Sequence, residues 1–143
     1  MNKKILIASD HAGFDLKQKL IEQMPKDIFE NLGTNSLEMV DYTDYANELA
    51  GRISKNNNKK GILICGTGVG MSVAANKFKN IRAGLVYNSE VAKLIREHND
   101  ANILVLPGRY MNIQEAIKCV NNFNSTSFEG GRHISRLNKM IKE

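Results

Sequence analysis

The residue with the clearest chemical potential is Cys65, which ends a short apolar run and opens a glycine-rich segment. Gly66, Gly68 and Gly70 follow at alternate positions and let the backbone turn tightly. The N–H groups of such a turn, with the start of the following helix, favour an anion. A thiol beside them should lose its proton readily, so Cys65 can serve as base or nucleophile. We predict an active-site loop, although a structural cysteine beside a packing turn explains these residues equally well.

Two more polar groups follow apolar runs that are typical of strands. Ser9, Asp10 and His11 follow the first run, and Gly108 with Arg109 follow the last. If the strands are parallel, their carboxyl ends meet at one edge of a sheet, where ligands usually bind. Taken singly, Asp10 and His11 could cap the next helix and Arg109 could be a surface charge. Their predicted convergence with Cys65 favours a site.

The elements that position these residues alternate between strand and helix. Apolar runs predict strands over residues 5–8, 28–32, 62–64, 82–86 and 103–106. Helical spacing and caps predict helices over 14–24, 45–55, 72–77, 89–97, 113–123 and 134–141, the fourth of them capped by Ser89. This alternation predicts an α/β fold, a Rossmann-like three-layer α/β/α sandwich with a five-stranded parallel sheet and a C-terminal helix. A single domain should cover residues 1–143.

Composition narrows the functional classes. The chain has 143 residues, a net charge of +5 and two cysteines, Cys65 and Cys119, which form no CxxC pair. The cysteines suggest neither a disulfide framework nor a zinc site, and there is no apolar run long enough for a membrane span. The lysines are scattered rather than gathered into a recognition motif, so we expect no nucleic-acid partner. We expect a cytoplasmic enzyme.

Six short motifs occur in the order found in one enzyme family. They are SDHAG (residues 9–13), VDYTDYA (40–46), ICGTGVG (64–70), AANKF (74–78), HNDAN (98–102) and EGGRHISR (129–136). Together they resemble ribose-5-phosphate isomerase type B over nearly the whole chain. The related galactose-6-phosphate isomerase subunits share the glycine loop but keep the HND and GGRH segments poorly.

The resemblance implies a reversible aldose–ketose isomerisation of ribose 5-phosphate and ribulose 5-phosphate, with no metal or cofactor. Cys65, as thiolate, would move a proton between C2 and C1 through an enediolate. Backbone N–H groups of Gly66, Thr67, Gly68, Val69 and Gly70 would stabilise the oxyanion. Thr67 would also bind O1 and O2 of the sugar.

The resemblance also assigns ring opening and phosphate binding. His98 would donate the ring-opening proton, while Asp10 and Asn99 would hold sugar hydroxyls. A helix C-cap is the plainer explanation of His98. Arg132 and Arg136, four apart on the last helix, would grip the phosphate with Arg109 and His11. His133, next to Arg132, could contact the sugar, and the plainer explanation of the arginines is a basic helix end.

His98 precedes the fifth predicted strand, so it should lie at the edge of the sheet opposite Cys65. We therefore expect a homodimer in which His98 and Asn99 of one subunit complete the Cys65 pocket of the other. The sequence does not decide which subunit supplies Arg132 and Arg136, nor whether dimers form tetramers.

Two departures from the family pattern affect the interpretation. Thr43 replaces the usual proline, which makes the loop less rigid and a contact of Tyr42 with the sugar less secure. Met71 stands where another branch has a glutamate base, and methionine cannot take a proton, which leaves Cys65. A six-carbon substrate such as allose 6-phosphate or galactose 6-phosphate stays an alternative. A non-catalytic sugar-phosphate-binding module and a redox-sensing thiol protein are the other classes.

Overall fold

A computed structural model describes residues 3–142 and has strands and helices in regular alternation. The strands are β1 (Ile5–Ser9), β2 (Phe29–Asn31), β3 (Gly61–Cys65), β4 (Ala83–Leu85) and β5 (Ile103–Pro107). The helices are α1 (Phe14–Gln23), α2 (Tyr42–Ser54), α3 (Val69–Ala75), α4 (Ser89–Asn99), α5 (Ile113–Ser125) and α6 (Arg132–Asn138). The predicted domain also includes residues 1, 2 and 143, which lie outside the described residues.

The five strands form one parallel sheet in the order β2-β1-β3-β5-β4. Ser9 of β1 pairs with Ile64 of β3, and Cys65 of β3 pairs with Pro107 of β5. The carboxyl ends of β1, β3 and β5 therefore lie side by side. This register brings the three polar groups of the sequence to one edge of the sheet.

Both faces of the sheet are covered, because successive strand residues point to opposite sides. Ile62 and Ile64 pack in a core with α1, α4 and α5, whereas Leu63 and Cys65 pack in a second core with α2 and α3. Runs of consecutive apolar residues are what such doubly buried parallel strands require. The predicted three-layer α/β/α sandwich is confirmed. Among residues 3–142, none of the helices is both long and apolar enough to cross a membrane.

Several helix boundaries differ from the prediction, most at the second, third and last helices. The second helix begins at Tyr42 rather than residue 45, and the last one runs over Arg132–Asn138 rather than 134–141. The third begins at Val69, inside the glycine segment, rather than at residue 72. Because glycine has low helix propensity, the sequence pattern predicts a helix start that lies too far along the chain. Gly68, in the left-handed region with φ of 80°, turns the chain into α3.

The ends of α4 also differ. Asn88, not Ser89, caps the helix: its side chain accepts a hydrogen bond from the N–H of Val91 at 2.9 Å. The helix continues through Asn99, and Asp100 ends it in the left-handed conformation with φ of 47°. His98 and Asn99 therefore lie in the last helical turn, so the C-cap explanation of His98 is wrong.

Candidate active site

The candidate site residues fall into two groups at opposite edges of the sheet. The carboxyl-edge group consists of Asp10, His11, Cys65, Thr67 and Arg109, which lie at or just after the carboxyl ends of β1, β3 and β5. The amino-edge group consists of His98, Asn99, Arg132, His133 and Arg136, on the last turn of α4 and on α6.

Asp10 is held in a tight turn between β1 and α1. Its N–H donates to the carbonyl of Ile64 at 3.2 Å, and its Oδ1 accepts the N–H of Gly13 at 3.0 Å. Gly13 lies so near β3 that a Cβ atom on it would be 2.3 Å from the Ile64 carbonyl oxygen. This close approach brings the start of α1, with Asp10, next to the end of the Cys65 strand.

Two backbone hydrogen bonds join the Cys65 turn to the turn that follows β5. The N–H of Gly108 donates to the carbonyl of Cys65 at 2.8 Å, and the N–H of Arg109 donates to that of Gly66 at 3.0 Å. A Cβ atom on Gly66 would lie 3.2 Å from Nη1 of Arg109. The exposed guanidinium of Arg109 thus lies over the start of the glycine segment, where it adds positive charge.

The glycine segment is partly helical. Val69 and Gly70 belong to the first turn of α3, and the N–H of Val69 donates to Oγ1 of Thr67 at 3.2 Å. The N–H of Val69 thus has a partner inside the segment, while stabilisation of the oxyanion by the N–H groups of residues 66–70 stays a prediction. This hydrogen bond fixes the Thr67 side chain, whose hydroxyl proton is left for another acceptor.

Two aromatic rings pack on this segment. A Cβ atom on Gly70 would lie 2.3 Å from the Tyr42 ring, so that ring covers Gly70 directly. Thr43 is in the first turn of α2, and the packing of Tyr42 is present without the family's proline. Tyr87, which sequence reasoning missed, donates its hydroxyl to the carbonyl of Thr67 at 2.9 Å. Its position after β4, the strand beside β5, is the one signal that could have indicated it.

His11 has a defined tautomer. Its Nδ1 accepts the N–H of Val40 at 3.2 Å, so the proton of the neutral ring is on Nε2. The donor is a backbone group, and backbone N–H groups occur at almost every position, so no sequence signal could have revealed it. Nε2–H is thereby oriented as a donor for an anion or a hydroxyl.

In the amino-edge group, His98 and His133 stack with ring centroids 4.7 Å apart and planes 19° from parallel. Phe128 lies against His133 at 6.4 Å. Arg132 and Arg136, four residues apart on α6, are both exposed. His133 is buried, and its Nε2 is 3.6 Å from Oε1 of Glu129, another residue that sequence reasoning missed. The spacing of Glu129 and His133, four apart, was the available signal.

Hydrogen bonds from Arg96 hold the elements of the amino-edge group in place. Its buried guanidinium donates to Oδ1 of Asp100 and to the carbonyl of Ala101, both at 2.8 Å, and to the carbonyl of Thr126 at 3.0 Å. The N–H of Glu129 donates to the carbonyl of Glu97 at 3.1 Å. The end of α4 and the segment leading to α6 are therefore tied together.

The electrostatics of the amino-edge group favour the neutral form of His133. Burial lowers the pKa of His133, and the positive charges of Arg132 and Arg136 and the His98 ring lower it further, while Glu129 acts in the opposite direction. Neutral His133 can accept a hydrogen bond or bind a metal ion.

The two groups are not brought together within one chain. The carbonyl of Asn102, which closely follows α4, accepts the N–H of Gly61 at the amino end of β3, whereas Cys65 is at its carboxyl end. Five extended residues span roughly 16 Å. The predicted phosphate set therefore divides, with Arg132 and Arg136 at one edge and Arg109 and His11 at the other. The topology of a single chain imposes this separation. For the arginines, it could not be predicted from their positions in the sequence.

Comparison with known proteins identifies relatives over nearly the whole chain. Residues 5–140 match the family model described as Ribose/Galactose Isomerase. A probable ribose-5-phosphate isomerase B of Mycoplasma pneumoniae is 47% identical, with 99% of this chain and 95% of the relative covered. The ribose-5-phosphate isomerase B of Escherichia coli is 40% identical, with coverages of 94% and 92%.

Solved structures agree with the fold. A ribose 5-phosphate isomerase from Thermotoga maritima superposes with a TM-score of 0.90 at 48% identity, covering 98% of both chains. The ribose-5-phosphate isomerase B of Mycoplasma genitalium, solved with bound ribulose-5-phosphate, has a TM-score of 0.89 at 43% identity, covering 96% of this chain and 93% of that one. This chain belongs to the ribose/galactose isomerase family.

Proposed function

We propose that this protein interconverts ribose 5-phosphate and ribulose 5-phosphate by proton transfer through an enediolate, without a metal or cofactor. The observation that carries the proposal is the carboxyl-edge group, in which a cysteine, a glycine turn, a carboxylate and an arginine converge on one sheet edge. Relatives more than 40% identical over nearly the whole chain carry this activity in their names, one with bound ribulose-5-phosphate.

Cys65 is the base in this mechanism. Its thiolate takes the proton from C2 of the open-chain aldose and returns it to C1, while the backbone of the glycine segment binds the developing oxyanion. The thiol ends β3 beside that segment, as the transfer requires. Met71 is fully buried in the core and carries no basic group, which supports Cys65 in this role. Thr67 donates a hydrogen bond from its free hydroxyl to the enediolate oxygens.

The remaining carboxyl-edge residues hold the substrate. Asp10 accepts from a sugar hydroxyl with the carboxylate oxygen that Gly13 does not use. His11 donates through Nε2–H and Arg109 through its guanidinium to the phosphate, so both ends of the substrate are fixed relative to Cys65.

The amino-edge group comes from a second copy of the chain. His98 opens the sugar ring by proton transfer and Asn99 binds a hydroxyl, which neither can do at the Cys65 of its own chain. Because α6 packs on the end of α4, Arg132 and Arg136 arrive from the same subunit as His98. The exposed apolar side chains of Val69 and Val73 on α3 give the partner a surface to cover beside the glycine segment.

The whole chain forms one catalytic domain in this proposal. The enzyme works in the cytoplasm, since a reducing compartment keeps the Cys65 thiol available. Its partners are the sugar phosphate and its own second copy, and neither nucleic acid nor membrane takes part. Association of dimers into tetramers stays outside the proposal.

The test is isomerisation of ribose 5-phosphate by the purified protein, with Cys65→Ala and Cys119→Ala in parallel and a chelator added throughout. Cys119 is a matched control because it is buried in the other core, where burial raises its thiol pKa to about 12. We expect chelator-resistant turnover that falls by about 100- to 10,000-fold in Cys65→Ala and persists in Cys119→Ala.

Other outcomes identify the other classes. Turnover of allose 6-phosphate or galactose 6-phosphate, but not of ribose 5-phosphate, would show that the substrate is a hexose phosphate and would leave the proposed mechanism unchanged. Sugar-phosphate binding without turnover of any of them would indicate a binding module, and a Cys65-dependent redox response without binding would indicate a thiol sensor.

A further inference from the structure

Three metal-ligating side chains lie close together at the amino edge of the sheet, and the proposed proton transfers use only one of them, His98. One ligand atom from each of His98, Glu129 and His133 lies within 4.8 Å of the other two. Two imidazoles and a carboxylate are a ligand set that zinc uses with water or a substrate as fourth ligand. Neither Glu129 nor this combination has a part in the proposed proton transfers.

The distance between two of these residues suits a metal ion better than a hydrogen bond. Nε2 of His133 and Oε1 of Glu129 are 3.6 Å apart, which is too long for a hydrogen bond. A tetrahedral zinc ion with bonds of about 2.0–2.1 Å holds its ligand atoms about 3.4 Å apart. The two atoms already have nearly that separation, and a ring nitrogen of His98 lies within 4.8 Å of both.

An independent observation points to the same place. Nε2 of His133 is buried and has no hydrogen-bond partner among the described residues. A buried polar nitrogen without a partner is costly, and native structures usually satisfy it with a water or an ion.

We propose that His98, Glu129 and His133 bind a divalent cation of the Zn²⁺ or Co²⁺ class, and that the bound cation inhibits the isomerase. The inhibition, though not the binding, rests on the proposed function: a metal on His98 occupies a ring nitrogen that exchanges protons when the sugar ring opens. Arg132 and Arg136 repel a dication, but both are exposed and screened by solvent. The Glu129 carboxylate offsets part of their charge.

The binding test uses Co²⁺ as the probe with full-length, chelator-stripped protein. Tetrahedral Co²⁺ absorbs visible light, and Zn²⁺ should displace it in a competition titration. We expect one ion per chain, and an affinity lower by on the order of 10- to 100-fold in Glu129→Gln and in His133→Gln. Glu129 is exposed, so Glu129→Gln should fold normally, and Glu90→Gln on the first turn of α4 is the matched control with unchanged affinity.

Cys65 is the main competitor for the probe, so Cys65→Ala is titrated in parallel. Unchanged visible absorption in Cys65→Ala supports the proposed site. A sulfur-to-cobalt band that disappears in Cys65→Ala, or unchanged affinity in Glu129→Gln and His133→Gln, overturns it.

The inhibition is measured on metal-free enzyme with added Zn²⁺. Glu129→Gln should keep the metal-free rate and need at least about tenfold more Zn²⁺ for half-inhibition, in step with its loss of affinity. Equal inhibition of wild type and Glu129→Gln would refute the inhibitory role even with the site confirmed. Failure of the proposed function would leave the Co²⁺ titration unaffected, so the two failures are distinguishable.

Discussion

Gly13 and Ile64 are in such close contact that no side chain fits between them: a Cβ atom on Gly13 would stand 2.3 Å from the Ile64 carbonyl oxygen. Both partners of that contact are backbone, so neither can move aside as a flexible side chain would. The contact fixes the distance between the Asp10 turn and the end of β3. The position of Asp10, which is proposed to bind the substrate, relative to Cys65, the proposed base, therefore depends on Gly13.

Gly13→Ala should lower both the stability and the turnover number. We expect a loss of about 1–3 kcal/mol in the free energy of unfolding, because α1 must move away from β3. Gly51→Ala is the control, since a Cβ atom there meets the Phe78 ring at an ordinary 3.6 Å and helix α2 gains propensity. Urea unfolding and steady-state kinetics check both, and equal effects of the two substitutions would contradict the prediction.

A mixed dimer of Cys65→Ala and His98→Ala chains should regain activity. One of its two sites combines the intact Cys65 of one chain with the intact His98 of the other, while the second site has neither. Random mixing makes half of the dimers hybrid, so about a quarter of the wild-type activity should return. The measurement is turnover before and after joint refolding of the two inactive proteins. Absence of recovery in a mixture shown to contain hybrids would place both residues in one chain's site.

Arg96→Met should destabilise the fold by about 2–4 kcal/mol, because the carbonyls of Ala101 and Thr126 and the Asp100 carboxylate lose a charged donor. Turnover should also fall, since His98 is two residues away on the same turn. Arg52→Met is the comparison, as its guanidinium pairs with Glu30 and Glu48 at the surface, where loss costs about 0–1 kcal/mol. Chemical denaturation of both variants gives the answer, and similar losses would show that burial of Arg96 has no energetic role.

Lys17 should make stability increase with pH above neutrality. Its fully buried amine donates to Oδ1 of Asn31, and burial lowers its pKa from 10.5 to about 8. Between those values the unfolded chain holds the proton and the folded chain does not, so the free energy of unfolding rises with pH. Relative to Lys17→Met, the wild type should gain about 3 kcal/mol from pH 8 to 10.5.

The control for Lys17 is Lys19→Met, on the same helix α1. Its stability difference from wild type, followed over the same pH range in urea titrations, gives the baseline for loss of an exposed amine on this helix. A pH dependence for Lys17→Met no different from that of Lys19→Met would mean that the folded protein keeps the Lys17 amine charged.

The sheet was predictable because its strands are buried on both sides. In a chain where strands alternate with helices, a short run of consecutive apolar residues such as Ile62 to Ile64 indicates a parallel strand that is buried on both faces. Helix starts were less predictable where glycine or a polar residue is involved, as at Val69 and Tyr42. At Val69 the left-handed turn of Gly68 starts the helix, and no periodicity encodes that turn.

The site was predictable in its residue types and less so in its geometry. Cys65, Asp10 and Arg109 each lie at or just after the end of a strand, and the topology brings them to one edge. The contacts of Val40 with His11 and of Tyr87 with Thr67 join loops far apart in sequence, and their residue types carry no signal for pairing. The same holds for Arg96, a surface residue by type that the fold buries.

The placement of the two residue groups at opposite edges has a consequence for the enzyme at low concentration. In our proposal, a single chain carries both residue groups but no complete site, because each site combines one group from each of two chains. Catalytic sites therefore form when subunits associate and are lost when they separate. Specific activity should then fall on dilution below the dissociation constant of the dimer and recover on concentration. The rate of isomerisation in a cell would then increase more than proportionally with the amount of enzyme.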